Sequence, residues 1–261
     1  MDVSKASVAR MYDYLLGGTD NYESDWAACA ELLRIAPSTQ RIALINRQFL
    51  VRAVKYIAST GQIDQYIDHG SGLPTQNNVH QVAQRVNKNA RVVYVDNDPI
   101  VLAHGRMMLE ENRNTAVLGA DMRETQDILR EAERLRLYQR GRPAAALFVS
   151  VLHCIPDGDD DAPWRLIRNV VEELPSGSFL VLCHLASDDV KLRADVTEMM
   201  QRVTGGNWGR VRSFAEVDRF FDGLEIVGQL GDVSRWRPDT EIAPRQETVE
   251  WLEYGGVARI P

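Results

Sequence analysis

Apolar side chains recur at Ile42, Ile45, Phe49, Ala53 and Ile57, a helical spacing that predicts one helix over residues 40–58. From residue 65 the rhythm changes. Short apolar runs alternate with helical patterns: "QYID" with 76–87, "RVVYVD" with 99–111, "TAVLG" with 125–136, "AAALFVSVL" with 163–174 and "SFLVLCHL" with 189–203. Several of these runs are apolar throughout, as strands buried on both faces must be. The alternation predicts an α/β fold with a mainly parallel sheet and helices on both faces. Two later runs, "EIVGQL" and "WLEYGGVARI", predict final strands paired like a hairpin. The first 38 residues stand apart. They hold "MYDYLLGGTDNYESD", rich in tyrosine, glycine and acids, then a helix-like stretch ending near Pro37. The expected organisation is an N-terminal helical lid or extension over 1–60 and an α/β domain over 61–261.

Composition narrows the partners. The chain has 261 residues, 44% apolar and 26% charged, an ordinary globular balance. Its formal net charge of −7 argues against a protein built to grip nucleic acid through phosphates. No apolar run approaches the roughly 20 residues of a membrane span. "MDVSKASVAR" lacks the apolar centre of a signal peptide. Three cysteines, Cys29, Cys154 and Cys183, are an odd number without paired spacing. A reduced, cytoplasmic protein is expected.

The candidate chemistry starts at "YIDHGSGLPT". The first strand of the alternation, Tyr66 to Asp68, runs into Gly70 and Gly72. Glycine there allows a tight turn and lets a ligand approach the backbone. A pyrophosphate-binding loop of the G-x-G-x-x-G type would place a third glycine where Thr75 stands. Pro74 also removes a donor that could face a phosphate. The turn therefore suits a nucleoside better than a dinucleotide. Taken alone, it is equally well read as a plain strand-to-helix turn. Two acids shift that balance. Asp96 ends "VVYVD", where a carboxylate can accept from both hydroxyls of a ribose. Asp121 follows the next run, where it can accept from an adenine amino group while Met122 offers an apolar face. Either acid could instead cap the following helix. For Asp98, before Pro99, capping is the better reading. Glycine turn, acid and acid on three consecutive strand ends favour an adenosine site. A sulfonium nucleoside such as S-adenosylmethionine fits a loop that holds no pyrophosphate.

Together, "YDYLLGGTDNYESD", "INRQFLVRAV", "YIDHGSGLPTQNNVHQVAQ", "RVVYVDNDPIVLAHGR" and "SVLHCIPD" resemble the S-adenosyl methyltransferase family abundant in actinobacteria, long known only as a domain of unknown function. The resemblance runs from Arg10 to the final "GGVARIP". It implies a Rossmann-like class I methyltransferase fold with a central seven-stranded sheet. It implies S-adenosylmethionine as donor and S-adenosylhomocysteine as product, held by the glycine turn and the two acids. The methyl acceptor is generally unassigned in this family. His69 departs from the pattern, which favours a small or apolar residue there; filling the turn is its preferred reading over lining the pocket.

Methyl transfer from a sulfonium needs alignment and exclusion of water, and a base only where the nucleophile must lose a proton. The expected donor-binding set is Asp68, Gly70, Gly72, Asp96, Asn97, Asp121, Met122 and Ser150, with Arg47 and Gly18. Arg47 suits a bidentate contact to the methionine carboxylate, or else lies on a solvated helix face. The expected catalytic residues are His153 and Tyr14. His153, in "SVLHCIPD", reads as a base, an orienting donor, or a histidine satisfied by backbone at a strand end; His184 is the weaker candidate. The double glycine Gly17–Gly18 would break a helix and fold the N-terminal segment back as a lid, with Tyr14 and Arg10 reaching the methionine carboxylate or the acceptor. Asp157, Asp159 and Asp161 imitate the start of a calcium loop, but Ala162 and Arg168 stand where glycine and the final acid belong, so no metal site is expected. The tail aromatics Trp236, Trp251 and Tyr254 read as core or as a contact in a possible homodimer. The acidic balance points to a small-molecule acceptor and away from nucleic acid, and the lack of a long apolar run points away from membrane. Two other readings stay open: a non-catalytic S-adenosylmethionine sensor, and a nicotinamide-dependent oxidoreductase, against which the missing third glycine argues.

Overall fold

The computed structural model describes residues 3–158, 162–237 and 250–261. Asp159 and Asp161 of the acidic loop lie outside the described residues. Three helices come first: α1 (Val8–Leu15), α2 (Glu23–Ile35) and α3 (Thr39–Ser59). The alternating part follows as β1 (Gln65–His69), α4 (Val79–Val86), β2 (Arg91–Asp96), α5 (Pro99–Met108), β3 (Thr115–Gly119), α6 (Thr125–Arg134), β4 (Ala145–Val149), α7 (Ala162–Glu173), β5 (Phe179–Ala186) and α8 (Val190–Val203). The chain closes with α9 (Phe214–Asp218), β6 (Glu225–Ile226), β7 (Gly231–Asp232) and β8 (Leu252–Arg259). Every apolar run read from the pattern contains a strand.

The strand order is β3-β2-β1-β4-β5-β8-β6, with β7 also paired to β8. The pairs from β3 to β5 are parallel, and β8 runs antiparallel to its neighbours. Among the described residues the path itself has the seven strands expected, and the two-residue β7 beside β8 is an eighth. "EIVGQL" does not continue as one strand. Gly228 at φ +86° ends β6 after two residues, and the chain returns to the β8 edge as β7. The direction of connection reverses between β1 and β4, and ligands of open α/β sheets sit beyond the strand ends at such a point.

Two cores cover the sheet. One face packs Ile67, Val93, Phe148 and Leu182 under side chains of α6 and α7. The other face packs Tyr66, Tyr94 and Val181 under Phe49, Ala53, Val54 and Ile57 of α3. Helix α3, placed in the N-terminal extension by the pattern, is thus part of the cover of the sheet. A third cluster joins α1 and α2 to α8, with Met11, Leu32, Val196, Met200, Trp208 and Trp251. Trp236 and Trp251 are core residues, and Tyr254 stacks on Phe214 at 4.7 Å between ring centres. No helix among the described residues is long and apolar enough to cross a membrane.

Gly70 locks the switch point. Its φ is +66°, and an added Cβ would lie 2.2 Å from Val151 Cγ2. Gly70→Ala is expected to cost about 2–4 kcal/mol, from the steric overlap and the left-handed backbone together. Chemical denaturation reads this directly; an unchanged midpoint would refute the close approach.

Candidate active site

A cavity of about 1000 Å³ opens beyond the ends of β1, β2, β3 and β4 and is roofed by α1. Such a volume lies at the upper end of the roughly 300–1,000 Å³ usual for ligand pockets. Of the residues expected from the sequence, Asp68, Gly70, Gly72, Asp96, Asn97, Asp121, Met122, Ser150, Arg47 and His153 line it. Tyr14 and Gly18 do not. Tyr14 is 40% exposed on the outer side of α1, so it is corrected from the catalytic set. Two residues earlier, on the opposite face of the helix, Tyr12 takes the inward position instead. Gly18 serves the fold: an added Cβ would overlap the carboxylate of Asp13, which accepts from Asp20 N–H and Asn21 Nδ2 and holds the turn between α1 and α2.

Asp96 ends β2 with both oxygens anchored. Gly72 N–H donates to Oδ2 at 3.0 Å and Asp98 N–H to Oδ1 at 2.9 Å. Asp98 caps α5 through Ile100 N–H at 2.8 Å, as the pattern indicated, and also accepts from Ser7 Oγ of the roof at 2.9 Å. Gly72, at φ +64°, has open space where a side chain would stand. The N–H groups of Gly70 and Ser71 both donate to Val95 O, at 2.8 and 3.1 Å. The turn's donors are thus spent on β2 and do not form an anion cradle. Asp121 accepts from Arg123 through its backbone and guanidinium, which holds its carboxyl below the usual range.

Asp68 is a buried carboxyl in the cavity wall. Burial raises it to about 7, Asp96 adds to the rise and Arg47 opposes it. Arg47 donates to Gln76 O at 2.9 Å, and burial lowers its pKa. Arg10, expected to reach a ligand, lines the cavity and pairs with the fully buried Asp25 at 2.7 Å.

His153 is 2% exposed, with Trp208 beside it at 4.6 Å between ring centres. Burial, then Arg212, push its pKa down to about 3, so it is a neutral imidazole at physiological pH. His184 Nε2 accepts from Arg212 at 2.7 Å, and its Nδ1 donates to Leu185 O at 2.6 Å. His69 stacks on Phe148 at 4.2 Å, off the cavity.

The sequence reading missed Asn46, Trp208 and Glu253, and held Tyr12 only as part of the N-terminal segment. Glu253 stands on β8, opposite Leu185. Because β8 is antiparallel, its first residues reach the same edge as the last residues of the parallel strands. There Ser150 Oγ donates to Glu253 Oε1. The signal was present: Glu253 and Val257 share one face of β8, buried Trp251 precedes the strand, and an acid between buried apolar residues is the informative exception.

The chain matches the family model described as S-adenosyl methyltransferase over residues 1–261. It belongs to the S-adenosyl methyltransferase family. A Thermobifida fusca protein assigned as a methyltransferase is 37% identical, with a TM-score of 0.90 over 99% of this chain and 96% of that one. A DUF574 family protein from Streptomyces avermitilis is 34% identical, with a TM-score of 0.87 over 100% and 99%. The plantazolicin methyltransferase, solved with S-adenosylhomocysteine, shares the fold at 8% identity and a TM-score of 0.52, over 97% and 96%. No curated protein matches. Members of the S-adenosyl methyltransferase family use S-adenosylmethionine, and the wall of this cavity fits it. Gly72 leaves open space beside an anchored Asp96, the donors of the glycine turn form no phosphate cradle, and a buried carboxyl, Asp68, lines the same wall.

Proposed function

We propose that this enzyme moves a methyl group from S-adenosylmethionine to a small-molecule acceptor, with both held in the one cavity. The observation that carries the reading is the set of acids at or just beyond the ends of β1, β2 and β3, Asp68, Asp96 and Asp121, which line the same cavity as Gly72 with its open side. Asp96 receives the ribose hydroxyls. Met122 packs on the adenine, and Asp121 shares an oxygen with its amino group. Asp68 takes the α-ammonium, Arg47 the α-carboxylate, and Ser150 and Asn97 complete the contact. When bound, the donor supplies an electrophilic methyl carbon on a positively charged sulfur. The chain's task is then to align the acceptor with that carbon and exclude water. His153, as a neutral imidazole, orients the acceptor by hydrogen bonding. Helix α1 is the lid: Ser7 must release Asp98 for the cavity to open above Asp96. The net charge of −7 favours a small acceptor over a nucleic acid.

Calorimetric titration with S-adenosylmethionine, S-adenosylhomocysteine and NAD tests the donor assignment. Binding of both sulfur nucleosides without NAD supports it, and no binding of either removes it. The pH dependence is a further expectation. A cationic ammonium favours ionised Asp68, whose carboxyl sits near 7 in the free protein. Donor affinity therefore falls as pH drops below about 7, by up to tenfold per pH unit, and levels off above it. Asp68→Asn should flatten this dependence; a profile still sloping in the variant would assign it to another group.

A further inference from the structure

We propose that Glu253 is the catalytic base of this site, and that the acceptor is a largely apolar small molecule attacking through a hydroxyl or an amine. The proposal rests on the methyl-transfer reading above. Glu253 is 2% exposed and lines the cavity. Ser150 Oγ donates to one carboxyl oxygen, while Oε2 is buried without a partner. Burying a carboxylate with a free oxygen costs stability, and a purely structural acid would be expected to find a full set of donors. Ser150 itself sits at φ +57°, a strained conformation for a residue other than glycine. The strain places its hydroxyl on Glu253 directly beyond the end of β4.

The surroundings hold Glu253 in a usable state. The titratable groups facing it are Tyr12 from α1 and Cys183 from β5, and burial raises both, so both stay neutral. Asn46 from α3 ties them together, donating to Tyr12 Oη at 2.9 Å and accepting from Cys183 Sγ at 3.1 Å. Arg47, also on α3, acts on Tyr12 and Asp68. Burial outweighs the hydrogen bond from Ser150 and brings the Glu253 carboxyl up to about 7. A base poised near neutrality is the efficient one. His153, driven to about 3, would hold a transferred proton far too weakly.

The same cavity wall carries Met11, Leu15, Ile42, Leu185, Met200 and Trp208. This apolar lining defines the acceptor's skeleton, and Glu253 defines its nucleophile. The acceptor heteroatom forms its bond to the methyl carbon as the carbon–sulfur bond breaks, and that electron pair stays on sulfur. The heteroatom's proton passes to Glu253 and from there to water when the cavity opens.

Two measurements test this. In the free protein, carbon-13 NMR of labelled glutamate carboxyls should show one group titrating near pH 7 that is missing in Glu253→Gln; its absence from the wild type overturns the proposal. Methyl transfer is then assayed with 2-naphthol, benzylamine and 4-nitrophenol, the last largely ionised under mildly alkaline conditions. Glu253→Gln should lower kcat about 100-fold or more for 2-naphthol and benzylamine, leave donor affinity unchanged and largely spare 4-nitrophenol. An equal loss on all three, or no loss, overturns the base. Turnover of none of them by a wild-type protein that binds the donor overturns the acceptor class. Failure to bind the donor removes the methyl-transfer reading itself.

Discussion

Asp96→Ala should weaken S-adenosylmethionine binding about 100- to 1,000-fold, the largest loss expected from a single change in the donor half of the cavity. A hydrogen bond to a charged group contributes roughly 1.5–3 kcal/mol, and in the proposed pose Asp96 makes two to the ribose. The same carboxylate is held by Gly72 N–H and Asp98 N–H, so its loss also frees the glycine turn. Asp96→Asn keeps the shape and one acceptor oxygen, and should lose less. Calorimetry on both variants measures the difference, with the thermal midpoint as a check on folding. Affinity within threefold of wild type for Asp96→Ala would place the ribose elsewhere.

Asp25→Ala carries the largest expected loss of stability. Asp25 is fully buried and gathers three donors: Arg10 Nε at 2.7 Å, Ser7 N–H at 2.9 Å and Tyr22 N–H at 2.9 Å. It therefore caps α2 and fastens α1 to it. Removing it leaves the Arg10 charge buried without its partner. Breaking a buried pair from one side typically costs about 3–5 kcal/mol. In a chain of this size that corresponds to a fall in thermal midpoint of roughly 10 °C. Because α1 roofs the cavity, limited proteolysis should cut near the α1–α2 turn sooner in the variant. A midpoint within about 2 °C of wild type would show that the pair contributes little.

The strands and most helices were legible because buried parallel strands need continuous apolar runs, and these stand out between amphipathic helices. The eighth strand was not, because a break at Gly228 is decided by how the chain returns to β8. That Asp68, Gly70, Gly72, Asp96, Asp121 and Ser150 share one cavity wall was legible because they come from or next to strand ends, where sequence order and spatial order coincide. The rest of the cavity wall is assembled from segments far apart in sequence, Tyr12, Asn46, Trp208 and Glu253. Tyr14 was chosen where Tyr12 faces inward, because helical phase over a helix as short as Val8–Leu15 depends on what it packs against. Arg10 looked free because its partner, Asp25, lies across a turn whose geometry Gly18 and Asp13 set.

The position of β8 in the sheet has a consequence for how the chain is assembled during synthesis. Strands β1 to β5 emerge first and can pair in parallel, but β5 then waits with one bare edge. Its neighbour on that side is the strand translated last among those described, so a long tract of chain must appear before the edge is covered. Such distant pairing is slow, and an open strand edge is prone to wrong partners in the interval. The parallel half can already stand while the residue proposed as the base is still unsynthesised. On this layout, a partly made chain presents its donor wall before it can carry out the proposed proton transfer.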